Sequence, residues 1–320
     1  MRKTDTIIEL MENMLNEKEL NHLKTVLNIV LQEQEDVPSM EDLEKSFKQS
    51  LKLTGRKDTS IAQYELELRL MQKYINKHPV DITTRDLKEY FAKYQEERNI
   101  SMVTMTNKIR YCGSFFDYLL NEGYINKNPT KAIGRVIVPV KLKRAFSDQD
   151  IKQIRESCKI LRDRAMVEFL LATGARVSEC SRLRVCDIDF NAKEFVIFGK
   201  GHKERLAYIN DTASEWILKY LDERSPDLME PLFSGIQVTT DPISSRGIEK
   251  VLARIGETAQ VANVHPHRFR RTYATNLWKQ GVPVETIRVL MGHSNIQTTL
   301  RYIDIDNTSV KESYVMASVV

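Results

Sequence analysis

Residues 265–302 read HPHRFRRTYATNLWKQGVPVETIRVLMGHSNIQTTLRY. Pro266 suits the first position of a helix, where a missing N–H costs nothing. His267, Arg270 and Arg271 then fall at i, i+3 and i+4 and share a face. A second helix is expected over Val284–Leu290, and the Gly292-His293 break puts another imidazole at a turn just before the segment that carries Tyr302. The stretch therefore gathers three histidines, six arginines and lysines and a late tyrosine. That is the composition of an anion-holding site with a nucleophile. Taken alone it stays ambiguous, because most histidines and tyrosines serve structure.

Working outward, the chain has 320 residues, 42% of them hydrophobic, enough for about two domains with cores of their own. No apolar run reaches the ~18 residues of a membrane span, and MRKTDTIIELMENMLNEKEL carries acids where a signal peptide needs an unbroken apolar stretch. A soluble, cytoplasmic protein is expected. Cys112, Cys158, Cys180 and Cys186 form no CxxC pair and no metal-ligand grouping, so reduced, mostly buried thiols are expected.

The net charge of +4 is unevenly spread: residues 1–50 hold 6 Lys/Arg and 11 Asp/Glu, a balance of −5, leaving +9 for the rest. Residues 127–144, KNPTKAIGRVIVPVKLKR, contain six Lys/Arg and no acid. This reads either as a basic linker lying along a phosphate backbone or as a solvated connector. Residues 1–52 are expected to form an acidic helical N-terminal segment, with Leu20, Leu23, Leu27 and Val30 at helical spacing. Residues 53–130 read as a helical bundle. Thr59 or Ser60 can cap a first helix bearing Tyr64, Leu68, Met71 and Ile75. A second spans about 85–97, and Ser101 can cap a third that stops at Gly123. Arg56, Lys57, Lys108 and Arg110 are candidate phosphate contacts of this bundle. Lys141, Lys143 and Arg144 are candidates in the linker, residues 131–145.

A new domain starts at residue 146 and is expected to run to 308. Ser147 and Asp150 make a capping-box start. Leu161–Thr173 is apolar on most sides and ends at Gly174, the mark of a buried helix. The following turn, Gly174-Ala175-Arg176-Val177-Ser178-Glu179, sets an arginine beside a carboxylate. A buried arginine needs an anion, either Glu179 or a ligand phosphate. Glu194–Phe198 and Leu206–Ile209 flank a basic, glycine-bearing turn, as in a hairpin. Its tip offers Lys200, Lys203 and Arg205, the last two of them, with Arg271, further candidate phosphate contacts. GKGHK followed by a strand lacks the spacing and helix of a P-loop, so nucleotide cradling is excluded. Pro231–Ser234 reads as a short strand, and helices are expected over Thr212–Arg224 and Ser245–Gln260. His265 and His202 read as surface or capping groups.

With these motifs in order, the chain resembles the tyrosine recombinase (phage integrase) family. The resemblance rests on Ala172-Thr173-Gly174-Ala175-Arg176 with Ser178-Glu179, the Gly199-Lys200-Gly201 hairpin, His267-x-x-Arg270, Met291-Gly292-His293, and Tyr302 nine residues after that histidine. It implies a mainly α fold: a helical-bundle (SAM-like) core-binding domain followed by a mostly helical α+β catalytic domain with a small antiparallel sheet. It also implies a site-specific recombinase that cuts and rejoins double-stranded DNA through a 3′-phosphotyrosyl link, with no metal, ATP or cofactor.

Cleaving a phosphodiester this way takes a nucleophile, charge neutralisation on the nonbridging oxygens and an acid for the leaving 5′-oxygen. The resemblance makes Tyr302 the nucleophile and Arg176 and Arg270 the phosphate clamp. Lys200 becomes the general acid, His267 the proton-transfer group and His293 a donor to the phosphate, with Glu179 behind them. Two positions depart from the common pattern. Arg271 stands where many relatives have a second histidine, which leaves the choice between Arg270 and Arg271 to spacing, and Met291 replaces leucine at conserved volume. The family further implies a tetramer on DNA, with the tail 309–320 docking in a neighbouring subunit. Integration or excision of a mobile element is the expected role. Alternatives are Xer-like resolution of chromosome or plasmid dimers and, more remotely, a type IB topoisomerase or a noncatalytic DNA-binding protein.

Overall fold

The computed structural model describes residues 8, 10–11, 14–35, 38–138, 144–198, 204–235 and 240–303. The chain divides into two compact units, 1–140 and 141–320. Lys141, Lys143, Lys200, His202, Lys203 and the tail 309–320 lie outside the described residues.

The first unit contains α1 (Glu17–Glu35), α2 (Met40–Leu53), α3 (Asp58–Ile75), α4 (Thr84–Arg98) and α5 (Met102–Asn121). Ser101 caps α5 through the Thr104 N–H, and Gly123 follows that helix at φ 80°, as the sequence suggests. Two expectations change here. Neither Thr59 nor Ser60 caps α3; the helix starts earlier, at Asp58, and Lys57 stands at its N-cap without a side-chain bond. The acidic N-terminal segment is also not one appendage, since Leu43, Phe47 and Leu51 of α2 enter the same core as Leu68, Met71, Phe115 and Phe116. Its polar residues mask that face because α2 buries only one stripe.

Lys108 is corrected as well. It lies inside the bundle, 5% exposed, with its ammonium 2.6 Å from Glu67 and 3.8 Å above the Tyr94 ring centroid. Tyr90 donates to the other Glu67 oxygen at 2.7 Å. The pairing neutralises a charge that could not otherwise be buried, so Lys108 is no DNA contact. Arg56 and Arg110 remain exposed and line one groove with Lys131 and Arg135.

The second unit is mostly helical with a small sheet. Its elements are α6 (Asp148–Glu156), α7 (Leu161–Thr173), α8 (Val177–Cys180), β1 (Ile188–Asp189), β2 (Glu194–Phe198) and β3 (Glu204–Tyr208), then α9 (Asp211–Arg224), α10 (Ser245–Ala259), α11 (Pro266–Lys279), α12 (Val284–Met291) and α13 (Ile296–Leu300). The strands form an antiparallel sheet in the order β1-β2-β3. The sequence did not signal β1, which is only two residues long. Pro231 and Ser234 make isolated bridges rather than the expected strand. Helix α7 is buried as its composition dictates; Ala165, Met166, Val167, Phe169 and Leu170 are all solvent-inaccessible. A separate cluster of Ala274, Ile287, Met291 and Ile303, with Tyr273 and Trp278 against it, seats the segment carrying Tyr302. Cys112 and Cys180 are buried, whereas Cys186 is exposed. No described helix is long and apolar enough to cross a membrane.

Candidate active site

Three glycine- or proline-marked helix ends build the site. Helix α7 stops at Gly174, whose φ of 55° sends the chain into the turn carrying Arg176. Thr173 Oγ1 accepts the Ala175 N–H at 3.1 Å and stiffens that turn. Helix α11 opens with Pro266 and carries His267 and Arg270. Helix α12 ends at Gly292, φ 63°, which turns the backbone so that His293 points inward.

Glu179 sits under the turn with its side chain 3% exposed. Its Oε1 accepts from Arg176 Nη1 at 2.7 Å, and its Oε2 accepts from the Arg176 backbone N–H and from Arg205 Nη2, both at 2.8 Å. Burial opposes the charge of this carboxylate, but Arg205 and Arg176 outweigh it and hold the carboxyl below its usual range. Arg176 also donates to the Gly292 carbonyl at 3.3 Å and keeps its side chain 31% exposed.

Arg270 is 1% exposed. Its Nη1 donates to the Gly174 carbonyl at 2.6 Å, and its Nη2 contacts the Met291 carbonyl and, at 3.0 Å, His293 Nε2. Burial, and then Arg176, push its pKa down to about 10. Arg270 thus ties together the ends of α7 and α12. The forked phosphate clamp expected of the pair is asymmetric here: Arg176 presents donors outward, while Arg270 spends both terminal nitrogens on the protein. Its Nε has no hydrogen-bond partner among the described residues.

His293 contacts Arg270 through Nε2 and Thr299 Oγ1, also at 3.0 Å, through Nδ1. Since Arg270 can only donate, Nε2 accepts and the proton sits on Nδ1. The expected donor role of His293 toward phosphate does not suit this arrangement, in which both nitrogens are engaged. Burial, then the Arg270 and Arg176 charges, lower its pKa to about 4. The unfolded imidazole takes a proton near about pH 6.5, so between there and about 4 the unfolded state binds more protons and stability falls as pH falls. Urea midpoints measured against pH are expected to show this loss, of order 3 kcal/mol, and His293→Gln is expected to flatten it.

Tyr302 lies at the end of α13, its hydroxyl 3.2 Å from His267 Nδ1 and its ring centroid 5.3 Å from that of His293. The guanidinium carbons of Arg270 and Arg271 stand 5.7 and 5.6 Å from the Tyr302 ring centroid. His265 contacts the His267 ring edge-on at 6.4 Å and lies at the helix entry, as its position suggests. Arg205 corrects the sequence reading. It is not a surface phosphate contact but a 7%-exposed side chain inside the site. Strand parity carries the missed signal: Ala207, two residues on, is buried, so Arg205 shares the inward face. Arg144 stays exposed at the unit's edge, its carbonyl accepting from Arg268 at 3.3 Å.

Residues 144–309, just over half of the chain, match the phage integrase family, and residues 43–126 match the phage integrase N-terminal SAM-like domain. The chain belongs to the phage integrase family. Its fold is that of a mostly helical tyrosine recombinase with a small antiparallel sheet. Among relatives of this integrase, tyrosine recombinase XerC of Listeria monocytogenes serotype 4b is 29% identical over 273 residues, 80% of this chain and 90% of that one. XerC of Staphylococcus epidermidis is 27% identical, with 87% and 97% covered. The Tn1549 transposon integrase, solved with a circular intermediate DNA, superposes at TM-score 0.70 with 18% identity, covering 86% of this chain and 99% of that one. A lambda integrase tetramer on a Holliday junction gives TM-score 0.68 and 15% identity over 84% and 78%. The likeness to these two structures is one of fold. The integrase family membership makes the chain a tyrosine site-specific recombinase.

Proposed function

We propose that this recombinase cleaves and rejoins duplex DNA through Tyr302, with Arg176, His267 and Arg270 around the scissile phosphate, His293 behind Arg270 and Lys200 as the acid. The observation that carries the reading is the Tyr302 hydroxyl at 3.2 Å from His267, beside Arg176 and Arg205, both bound to the carboxylate of Glu179, and the buried Arg270. Three cations against one anion leave a deficit that a phosphodiester fills. Tyr302 Oη attacks phosphorus and its proton passes to His267. The bond from phosphorus to the 5′-oxygen breaks, and that oxygen takes a proton from Lys200, leaving a 3′-phosphotyrosyl link. Arg176 reaches the nonbridging oxygens, while Arg270 adds charge from beneath in a desolvated setting, where it counts most. The link stores the phosphoester bond, so a second 5′-hydroxyl reverses the step without ATP.

Incubation of the protein with a nicked recombination-site duplex in EDTA is expected to give a denaturant-resistant adduct that maps to Tyr302. Tyr302→Phe is expected to abolish the adduct while still shifting the DNA in a gel. An adduct that persists in Tyr302→Phe, or that needs magnesium, would overturn the mechanism. Arg56 and Arg110, with Arg144 and the linker lysines Lys141 and Lys143, are proposed to contact the DNA backbone, as is Lys203. A tetramer is proposed as the synaptic assembly, since lambda integrase adopts one on a junction.

For the biological role we favour integration or excision of a mobile element, which the transposon integrase's fold supports. Dimer resolution is the second reading, supported by XerC relatives that match over 90–97% of their length. Sequencing DNA captured on the protein in its host separates them: element ends favour the first, a single chromosomal site the second.

A further inference from the structure

We propose that Arg205 is a positioning residue of the recombination site, holding Glu179 and the Gly292 turn so that both anchors of Arg176 stay in place. This inference rests on the function proposed above. Its basis is geometric. Glu179 Oε2 accepts from Arg205 Nη2 at 2.8 Å, while Oε1 of the same carboxylate accepts from Arg176 Nη1 at 2.7 Å. Arg205 therefore fixes the far side of the carboxylate that orients Arg176. Its shaft also runs directly under Gly292: a Cβ on that glycine would lie 2.6 Å from Arg205 Cδ and 2.8 Å from Nε. The Gly292 carbonyl is the second acceptor of Arg176, at 3.3 Å. One side chain thus touches both groups that Arg176 depends on.

The cost of placing Arg205 there argues that it does more than fill space. Its side chain is 7% exposed, and Nε and Nη1 have no hydrogen-bond partner among the described residues. A methionine would fill the same volume without a buried charge. Burial and the neighbouring Arg176 lower the Arg205 pKa, against the pull of Glu179. Next to two further arginines, this buried cation keeps Glu179 ionised.

Arg205 reaches the reaction only through Glu179 and Arg176, so the signature is one of protonation. The groups facing Glu179 are Arg176, Arg205 and Arg270, with His293 and the buried Cys180 thiol beside it. Tyr273 faces Arg205 from α11. His293, at about 4, stays neutral across the range assayed. Removing Arg205 leaves burial less opposed and moves the Glu179 carboxyl upward. Protonation of Glu179 then releases Arg176.

The test is single-turnover adduct formation on the nicked duplex, from about pH 5.5 to 8.5, for wild type, Arg205→Met, Arg205→Lys and Arg205→Met/Glu179→Gln. Arg205→Met is expected to slow adduct formation by up to about 100-fold, to bind the duplex within threefold of wild type, and to acquire an acid limb beyond the one that protonation of the base His267 gives every variant. Arg205→Lys is expected to keep the wild-type pH profile with a smaller loss. The double variant is expected to lose that added acid limb, because an amide does not titrate. Arg205→Gln repeats the neutral test should Arg205→Met fail to fold. A wild-type rate and profile in the neutral variants would overturn the proposal. So would a slowed reaction with an unchanged profile, or failure of both neutral variants to fold, since each makes Arg205 purely structural. A wild type that forms no adduct removes the functional reading itself, which is a separate outcome.

Discussion

Arg270→Lys is expected to lower the rate of covalent adduct formation by on the order of 10²–10³ and to lower the thermal stability of the second unit at the same time. The guanidinium serves the Gly174 carbonyl through Nη1 and the Met291 carbonyl and His293 through Nη2, all while 1% exposed. A lysine has one nitrogen at the end of a flexible stem and cannot span those acceptors. At least one buried carbonyl is orphaned, at about 1–3 kcal/mol, and His293 Nε2 loses its donor. The effect on rate follows from position as well as charge. Gly174 opens the Arg176 turn, and Met291 precedes the Gly292-His293 turn, so the ends of α7 and α12 lose their common tie. Arg271, one residue on, is no substitute: its guanidinium also lies against the Tyr302 ring, at 5.6 Å, but it is Arg270 that holds the Gly174 and Met291 carbonyls. Single-turnover adduct assays together with thermal unfolding by circular dichroism check both parts. A variant that keeps the wild-type rate would mean that the forked donors of Arg270 are not needed for the reaction, since lysine retains the charge.

Lys108→Met is expected to destabilise the first unit by about 3–5 kcal/mol, the usual result of leaving one member of a buried pair alone. Glu67 is 4% exposed and has Lys108 at 2.6 Å as its cationic partner, with Tyr90 as a neutral donor at 2.7 Å. Without the ammonium, the carboxylate must stay charged in an apolar bundle or take up a proton, and both cost stability. Glu67→Leu/Lys108→Met removes the charges together and is expected to recover most of the loss. Urea unfolding followed by tryptophan-independent circular dichroism at the helix band measures this. The salt dependence of DNA binding carries the companion observation: Lys108→Met leaves its slope unchanged, because a buried ammonium neutralises no phosphate.

Much of the fold was legible because local chemistry marks helix ends. Ser101, Ser147 with Asp150, Gly174 and Gly292 each terminate or begin a helix where the residue type suggests. Turn residues act through their own backbone, so their reading needs no distant partner. The failures share the opposite property. Lys108 looks like a surface cation until Glu67, 41 residues away, is folded against it. Arg205 looks like a hairpin-tip cation until Glu179 is found beneath it, 26 residues away. The strand alternation of β3 would have turned Arg205 inward, but placing it against Glu179 takes the packed sheet. Helix α2 was read as part of an acidic appendage because its apolar residues cover only one face, and only packing shows that this face is buried.

The sequence by itself determined the family and the mainly helical architecture and supplied the residue types proposed for phosphoryl transfer, because motif spacing and helix punctuation are local properties. Tertiary structure alone decided how the cations divide their work. Arg176 faces outward, Arg270 and Arg205 are buried as scaffolding charges, and Lys108 is removed from the DNA-facing set. The physical reason is desolvation: what a charged side chain does depends on its burial and its nearest opposite charge, and both are set by segments far apart in the chain. Tyr302 and His267, 35 residues apart in sequence, become a 3.2 Å pair only when α11 and the end of α13 come together.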